Sequence, residues 1–175
     1  PRVGRMILEA RDRGALAEVL VIAAALSVQD VRDRPMDKQA QADQAHAKFD
    51  DEKSEFSGTL RLWKWLEDSK GGHEASHKLS HRQYENLLRE NFINVRRVRE
   101  WRDTHSQLHT VVAEHKWVLN TQPAGYEPLH LSMLAGLLGN IGCKNDTEDW
   151  YLGARGIKFH RHPGANLSKK PGRWI

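Results

Sequence analysis

The stretch VLVIAAAL, residues 19–26, decides how this chain folds. It contains no polar side chain, so a helix built from it is apolar on every side. Such a helix needs neighbouring elements to cover most of its surface. We therefore predict a helix from Ala15 to Val28 at the centre of a helical bundle. The stretch is far too short to cross a bilayer, and we expect no membrane contact.

Helical spacing continues on both sides of this stretch. Val3, Met6, Ile7 and Ala10 follow the i, i+3, i+4, i+7 pattern, and Gly14 offers the positive φ that ends a helix. Further helical segments are predicted downstream at residues 37–48, around 56–63, from 80 to about 115 with a break near 91, and from 128 to 138.

The clearest helix start is at Ser80. Gln83 follows it by three residues, which is the spacing of a capping box. In that arrangement each side chain bonds a backbone N–H that the helix itself leaves unpaired. We expect a well-defined helix to begin here.

The texture of the chain changes after Lys144. Residues 150–159 and the surroundings of Trp174 favour short strands, with a turn at residues 162–164. Two or three strands make a poor independent sheet, so we expect the start of a truncated β domain. The fold class is thus predicted as mainly α, with a helical bundle at residues 1–145 and a short β segment at residues 146–175. Because residue 1 is proline rather than methionine, we expect a segment of a longer protein.

The composition favours a folded intracellular protein. Charged residues make up 29% and hydrophobic residues 39% of 175 residues. Cys143 is the single cysteine, which excludes an internal disulfide and a cysteine zinc site and favours the cytoplasm. A net charge of +4 permits contact with phosphate groups without requiring it.

One sequence matches a catalytic signature. His73, Glu74 and His77 fit H-E-x-x-H, in which two histidines bind zinc and the glutamate is the general base. The match follows two glycines and is polar on every side, so a solvated loop is the favoured interpretation and a zinc hydrolase the remote one. The chain lacks the glycine-rich motifs that bind nucleotide phosphates. We predict no catalytic, cofactor-binding or metal-binding residue.

Two groups of basic residues are candidates for contact with nucleic acid. The first group shares one predicted helix and consists of Arg96, Arg97, Arg99 and Arg102. These guanidinium groups suit phosphates or extruded bases, or they form ion pairs with acidic neighbours. The acidic neighbours in sequence are Glu90, Glu100 and Asp103.

The second group alternates with aromatic residues near the C-terminus. It consists of Lys158, Arg161, Lys169 and Lys170. Basic side chains among Phe159 and Trp174 on short strands suit a surface where bases stack and phosphates are neutralised. Exposed turns that carry lysines for solubility would look the same, and the sequence leaves both interpretations open.

Four stretches, in order, resemble one known family. They are PRVGRMILEA with GALAEVLVIAAALSVQD (residues 1–10 and 14–30), RPMDKQAQADQAHAKFDDEKSEF (34–56), ENFINVRRVREWRDTHSQL (90–108) and FHRHPGANL (159–167). Together they resemble the helicase-associated, ratchet-like region and the start of the OB-fold of DEAH-box RNA helicases. Residues 71–89 and 151–155 are similar to the bacterial HrpA branch of that family.

The resemblance implies an accessory role in a helicase. Two RecA-like domains of such a parent protein would bind ATP and Mg²⁺ and hydrolyse the ATP. The ratchet-like region would pack with them, with a winged-helix domain and with the OB-fold to enclose single-stranded RNA. This chain would then have no ATPase activity of its own, and its arginines would serve the RNA path or domain packing. A free-standing helical nucleic-acid-binding or adaptor module is the alternative.

Overall fold

The structure is a computed structural model, and it describes residues 1–71 and 78–175. Helices dominate these residues and a small antiparallel sheet lies near the C-terminus, which confirms the mainly α prediction. The α-helices are α1 Arg2–Arg13, α2 Leu16–Leu26, α3 Gln39–His46, α4 Glu55–Ser69, α5 His81–Glu90, α6 Val95–Glu114 and α7 Tyr126–Leu137. None of these described helices combines the length and apolarity that a membrane crossing requires.

The chain forms two compact units, and the boundary between them falls within α2. One unit contains Pro1–Val19 and Leu119–Ile175, and the other is Leu20–Val118. We call the second one the central helical unit. The sequence pattern, which changes from helical to strand-like, predicts a division between residues 145 and 146. This division stays a prediction.

The core of the central helical unit is built around Trp101 on α6. Its side chain is 1% exposed, and its indole N–H donates to the carbonyl of Val21 at 3.0 Å. Trp63 on α4 packs against it with ring centroids 4.8 Å apart. Val21 and Ala24, from the all-apolar stretch at residues 19–26, are buried in this core, as expected for a buried helix.

The start of α5 and the break after it follow the sequence prediction. Ser80 and Gln83 form the complete capping box. After α5 ends, Phe92 takes a φ of 55° and Asn94 caps α6 by accepting from the N–H of Arg97. The short break near residue 91 therefore separates two well-capped helices and reorients the chain before α6 begins.

In the other unit, α1 packs on α7 at a glycine. A Cβ atom on Gly136 would lie 2.5 Å from the carbonyl oxygen of Arg2 and 2.5 Å from Met6 Cγ, so only glycine permits this approach. Asn120 accepts from the N–H of Ala17 at 2.8 Å and donates to Glu18 at 2.7 Å. These bonds tie the start of α2 to the segment that leads into α7.

The sheet has three two-residue strands, β1 Cys143–Lys144, β2 Tyr151–Leu152 and β3 Lys158–Phe159, in that order and antiparallel. Trp174 adds an isolated bridge to β1. The hydroxyl of buried Tyr151 donates to the Gly172 carbonyl at 2.7 Å and fixes the C-terminal segment to the sheet. The strand at β1 lies ahead of the predicted β segment, and the assignment to an OB-fold stays a prediction.

Candidate nucleic-acid interface

The four arginines of α6 differ in their position relative to the apolar face of the helix. Val98 and Trp101 are buried and face the core of the central helical unit. Arg97 and Arg102 flank this buried face, whereas Arg96 and Arg99 point away from it. The four arginines therefore divide into an inner pair, Arg97 and Arg102, and an outer pair, Arg96 and Arg99.

The inner pair is bound by other elements of the same unit. Arg97 donates to the Asp30 carbonyl at 3.0 Å and to Asp33 Oδ1 at 3.3 Å, and 26% of its side chain is exposed. These contacts connect the start of α6 to the segment that follows α2. Arg97 therefore joins two parts of the fold.

Arg102 is held on three sides. It donates to Glu67 on α4 and to the hydroxyl of Tyr84 on α5 at 3.1 Å. Its guanidinium lies 5.5 Å from the ring centroid of Trp63, and 22% of its side chain is exposed. Three helices thus meet at this one cation.

The outer pair is more exposed. Arg96 pairs with Glu100 at 3.2 Å, with 88% of its side chain exposed. Arg99 donates to Glu85 on α5 at 2.6 Å, with 60% of its side chain exposed. Exposed ion pairs of this kind are weak, so both guanidinium groups remain accessible to a ligand from solvent.

The sequence identified one of the acidic partners correctly. Glu100 forms the expected pair with Arg96. The other partners are brought in from distant parts of the chain and lie beyond the reach of helix spacing: Asp33, Glu67 and Glu85. Within the described residues, Asp103 and Glu90 pair with none of the four arginines. Whether the arginines contact RNA or neighbouring domains stays a prediction.

The second candidate group lies on and after β3. Lys158 Nζ is 4.4 Å from the ring centroid of Trp150, so this cation packs on an aromatic face. Arg161 pairs with Asp149 at 2.7 Å and lies 5.9 Å from the Tyr151 ring centroid. Only 16% of the Arg161 side chain is exposed, which gives it a structural position beside the sheet.

Lys169 and Lys170 have a different setting from Arg161. Lys169 ends a short 3₁₀ helix, Asn166–Lys169, and Lys170 follows it directly. Both side chains are exposed. With Lys158 they form the accessible part of the C-terminal basic group, and we call these three residues the lysine cluster.

Charge is distributed very unevenly along the chain. The central helical unit contains 16 Lys and Arg residues and 16 Asp and Glu residues, so it is neutral. Residues 150–175 contain no Asp or Glu at all. Their six cationic residues are Arg155, Lys158, Arg161, Lys169, Lys170 and Arg173. The net charge of +4 therefore resides in the unit that contains the C-terminal strands.

Histidines of the described residues add no metal centre. No group of three or more His, Cys, Asp or Glu side chains suited to a metal ion occurs within residues 1–71 and 78–175. His73, Glu74 and His77 lie outside the described residues, and the zinc hypothesis stays untested there.

His105 on α6 packs its ring 4.7 Å from that of Trp63. Burial, with the charges of His109 and Arg102, lowers the pKa of His105.

Comparison with known proteins shows which family the chain is similar to. Residues 1–83 match the family model of the helicase-associated domain (HA2), ratchet-like. The chain is similar to the helicase-associated part of DEAH-box RNA helicases. Among the relatives is the ATP-dependent RNA helicase HrpA of Escherichia coli (strain K12), which is 41% identical over 175 residues, the whole of this chain.

Two further relatives extend the similarity. The HrpA homolog of Haemophilus influenzae is 37% identical over the whole chain. The pre-mRNA-splicing factor ATP-dependent RNA helicase prp22 of Schizosaccharomyces pombe is 22% identical over 176 residues and is matched over 14% of its length. The chain spans 13% of the length of each HrpA relative. Similarity to one segment of long helicases favours the accessory-domain hypothesis over the free-standing module.

Proposed function

We propose that this chain is an accessory, non-catalytic part of a cytoplasmic ATP-dependent RNA helicase and that it helps form the path of single-stranded RNA. The full-length similarity to segments of proteins named ATP-dependent RNA helicases supports the parent assignment. ATP and Mg²⁺ would bind to RecA-like domains elsewhere in that parent. Those domains, a winged-helix domain and the remainder of the OB-fold are the proposed partners within the same polypeptide.

The observation that carries the RNA contact is the unbalanced positive charge of residues 150–175. None of the three lysines in the lysine cluster forms a salt bridge with a described residue. Lysines without a paired carboxylate attract phosphates without first breaking an internal ion pair. Trp174, in the same segment, has 64% of its surface accessible and offers a ring on which a base can stack.

The α6 arginines contribute in a different way. Arg97 and Arg102 connect separate elements of the central helical unit, so we assign them to its stability. That unit is neutral as a whole and has no long-range attraction for a polyanion. The lysine cluster should therefore provide the larger electrostatic part of RNA binding.

The test compares two triple variants of equal charge. Lys158→Ala, Lys169→Ala and Lys170→Ala together remove the lysine cluster. Lys38→Ala, Lys53→Ala and Lys70→Ala remove three exposed lysines of the central helical unit as the matched control. Binding of a fluorescein-labelled short oligouridylate is measured by anisotropy over a series of salt concentrations.

We expect the first triple variant alone to weaken binding strongly. Loss of three phosphate contacts should reduce the slope of log K against log salt by about two. The control variant should keep both the affinity and most of the slope. Equal losses in the two variants would mean that only net charge matters, and the proposed surface would then be wrong.

A further inference from the structure

Glu85 on α5 is bound by cations from two helices. Its Oε1 accepts from Arg99 at 2.6 Å and its Oε2 accepts from Arg89 at 3.2 Å. His81 Nδ1 lies 3.5 Å from the same carboxylate, one helical turn before it. The glutamate side chain is 19% exposed, whereas those of Arg89 and Arg99 are each 60% exposed. A recessed carboxylate thus lies between two exposed guanidinium groups.

This arrangement has the form of an anion site that already contains an anion. Each oxygen of the carboxylate is bound by a different guanidinium, as the two non-bridging oxygens of a phosphodiester are bound when two arginines hold it. A guanidinium has five N–H donors. Arg99 donates only to Glu85 among the described residues, so most of its donors face solvent. Arg89 also contacts Asn86, at 3.3 Å.

The charges set how strongly this site attracts a phosphate. With the carboxylate in place, the two arginines contribute one net positive charge. Without it they would contribute two. Arg96, one turn earlier on α6, is 88% exposed and keeps its own partner, Glu100. Arg89 and Arg99 are each 60% exposed, so a phosphate from solvent can reach them and compete with Glu85 for the same donors.

We infer that Glu85 occupies the position of an RNA phosphate between Arg89 and Arg99 and thereby limits RNA affinity at this surface. A strand that reaches α5 and α6 replaces the carboxylate as the partner of these arginines. The site is a second, weaker contact, and it rests on the proposed function because the ligand is the same single-stranded RNA. Glu85 is a regulating residue, since it sets the affinity and does not itself touch the RNA.

The decisive variant is Glu85→Gln, which keeps the size of the side chain and removes its charge. We expect binding of the short oligouridylate at low salt to tighten by about threefold to fivefold. The salt slope should also steepen, since more cations are available to phosphates. Asp68→Asn is the matched control, because it removes one carboxylate from an exposed i,i+4 pair with Lys64 in the same unit.

Two further measurements test the inference even if Glu85→Gln alters the folding of the chain. Adding Arg99→Ala to Glu85→Gln should abolish the gain in affinity. In the unmodified chain, the Nε–H resonances of Arg89 and Arg99 should shift when the oligouridylate is added.

The outcomes separate this inference from the proposed function. Equal tightening in Glu85→Gln and Asp68→Asn, or none in Glu85→Gln, overturns the inference. Unshifted resonances of Arg89 and Arg99 in an RNA-bound chain overturn it as well. If the lysine-cluster variant binds normally, the proposed surface is wrong, whereas the inference about Glu85 is decided only by the Glu85→Gln and resonance measurements.

Discussion

The central helical unit and residues 150–175 both present conspicuous basic residues, yet their surroundings differ. In the central unit every arginine of α6 has a carboxylate partner, and the unit is neutral. In residues 150–175, Lys158 packs on an aromatic ring, and the segment contains no acidic residue. A row of cations in a sequence therefore says little about ligand binding until its partners are known.

The difference has a physical cause. A cation that is paired within the fold loses its partner when it binds a phosphate, so the two interactions compete. An unpaired lysine on an exposed turn has only hydration to lose. This predicts that substitutions of the inner pair, Arg97 and Arg102, lower stability, and that substitutions of the lysine cluster lower RNA affinity.

The largest effect on stability should come from the core of the central unit. Trp101→Ala removes a side chain that is 1% exposed and whose indole N–H bonds Val21. We expect the free energy of unfolding to fall by about 3–5 kcal/mol, from lost burial and the cavity left behind. Urea denaturation followed by circular dichroism measures it. The control is Trp174→Ala, a residue 64% exposed, which should leave the midpoint nearly unchanged.

Much of the helical fold could be predicted because its signals are local. Met6, Ile7 and Ala10 repeat at helical spacing, and Ser80 with Gln83 marks a helix start, so both helices were placed correctly. Phe49 was different. It lies seven residues before Phe56, which is a helical spacing, but it belongs to a short 3₁₀ helix, Ala47–Phe49, and Ser54 caps α4 only after it. Spacing alone cannot show where one helix stops and another begins.

The sheet and the ion pairs depend on contacts that spacing does not encode. Strand β1 has two residues; it pairs with β2 and forms an isolated bridge to Trp174. Likewise, Asp103 was one of three acidic residues expected from the sequence as possible partners of the arginines. The fold instead brings Glu67 and Glu85 from other helices. Those partners could be found only once the helices were packed.

The comparison is sharpened by Arg102, the arginine with the most internal contacts. Arg102→Ala removes the ion pair with Glu67, the hydrogen bond with Tyr84 and the packing on Trp63. We expect a loss of about 1–2 kcal/mol in the free energy of unfolding. Affinity for the oligouridylate should stay the same where the variant is fully folded, because this guanidinium is held by Glu67, Tyr84 and Trp63 and only 22% of the side chain is exposed.

Arg96→Ala is the matched control for that variant. It removes the same charge from the same helix, but Arg96 is 88% exposed and has a single i,i+4 partner. Its effect on stability should stay below about 0.5 kcal/mol. If Arg96→Ala destabilised the chain as much as Arg102→Ala, the division into an inner and an outer pair would be wrong.

The smallest expected effect is a pH dependence that originates in the central unit. Burial, together with the charges of His109 and Arg102, lowers the pKa of His105 from its ordinary value of 6.5, against an opposing contribution from Glu67. As the pH falls below that ordinary value, the unfolded chain takes up the proton before the folded chain does. The contribution of His105 to stability is therefore complete at higher pH, and it decreases as the pH falls until the folded-state pKa has also been passed.

In urea denaturation between mildly acidic and neutral pH, the stability of His105→Gln should decrease less steeply with falling pH than that of the unmodified chain. His162→Gln, which changes an exposed histidine outside this unit, should keep the full decrease. Identical pH profiles for all three proteins would show that His105 is not the titrating group, and that the ring packing with Trp63 leaves it as accessible to solvent as an unfolded histidine.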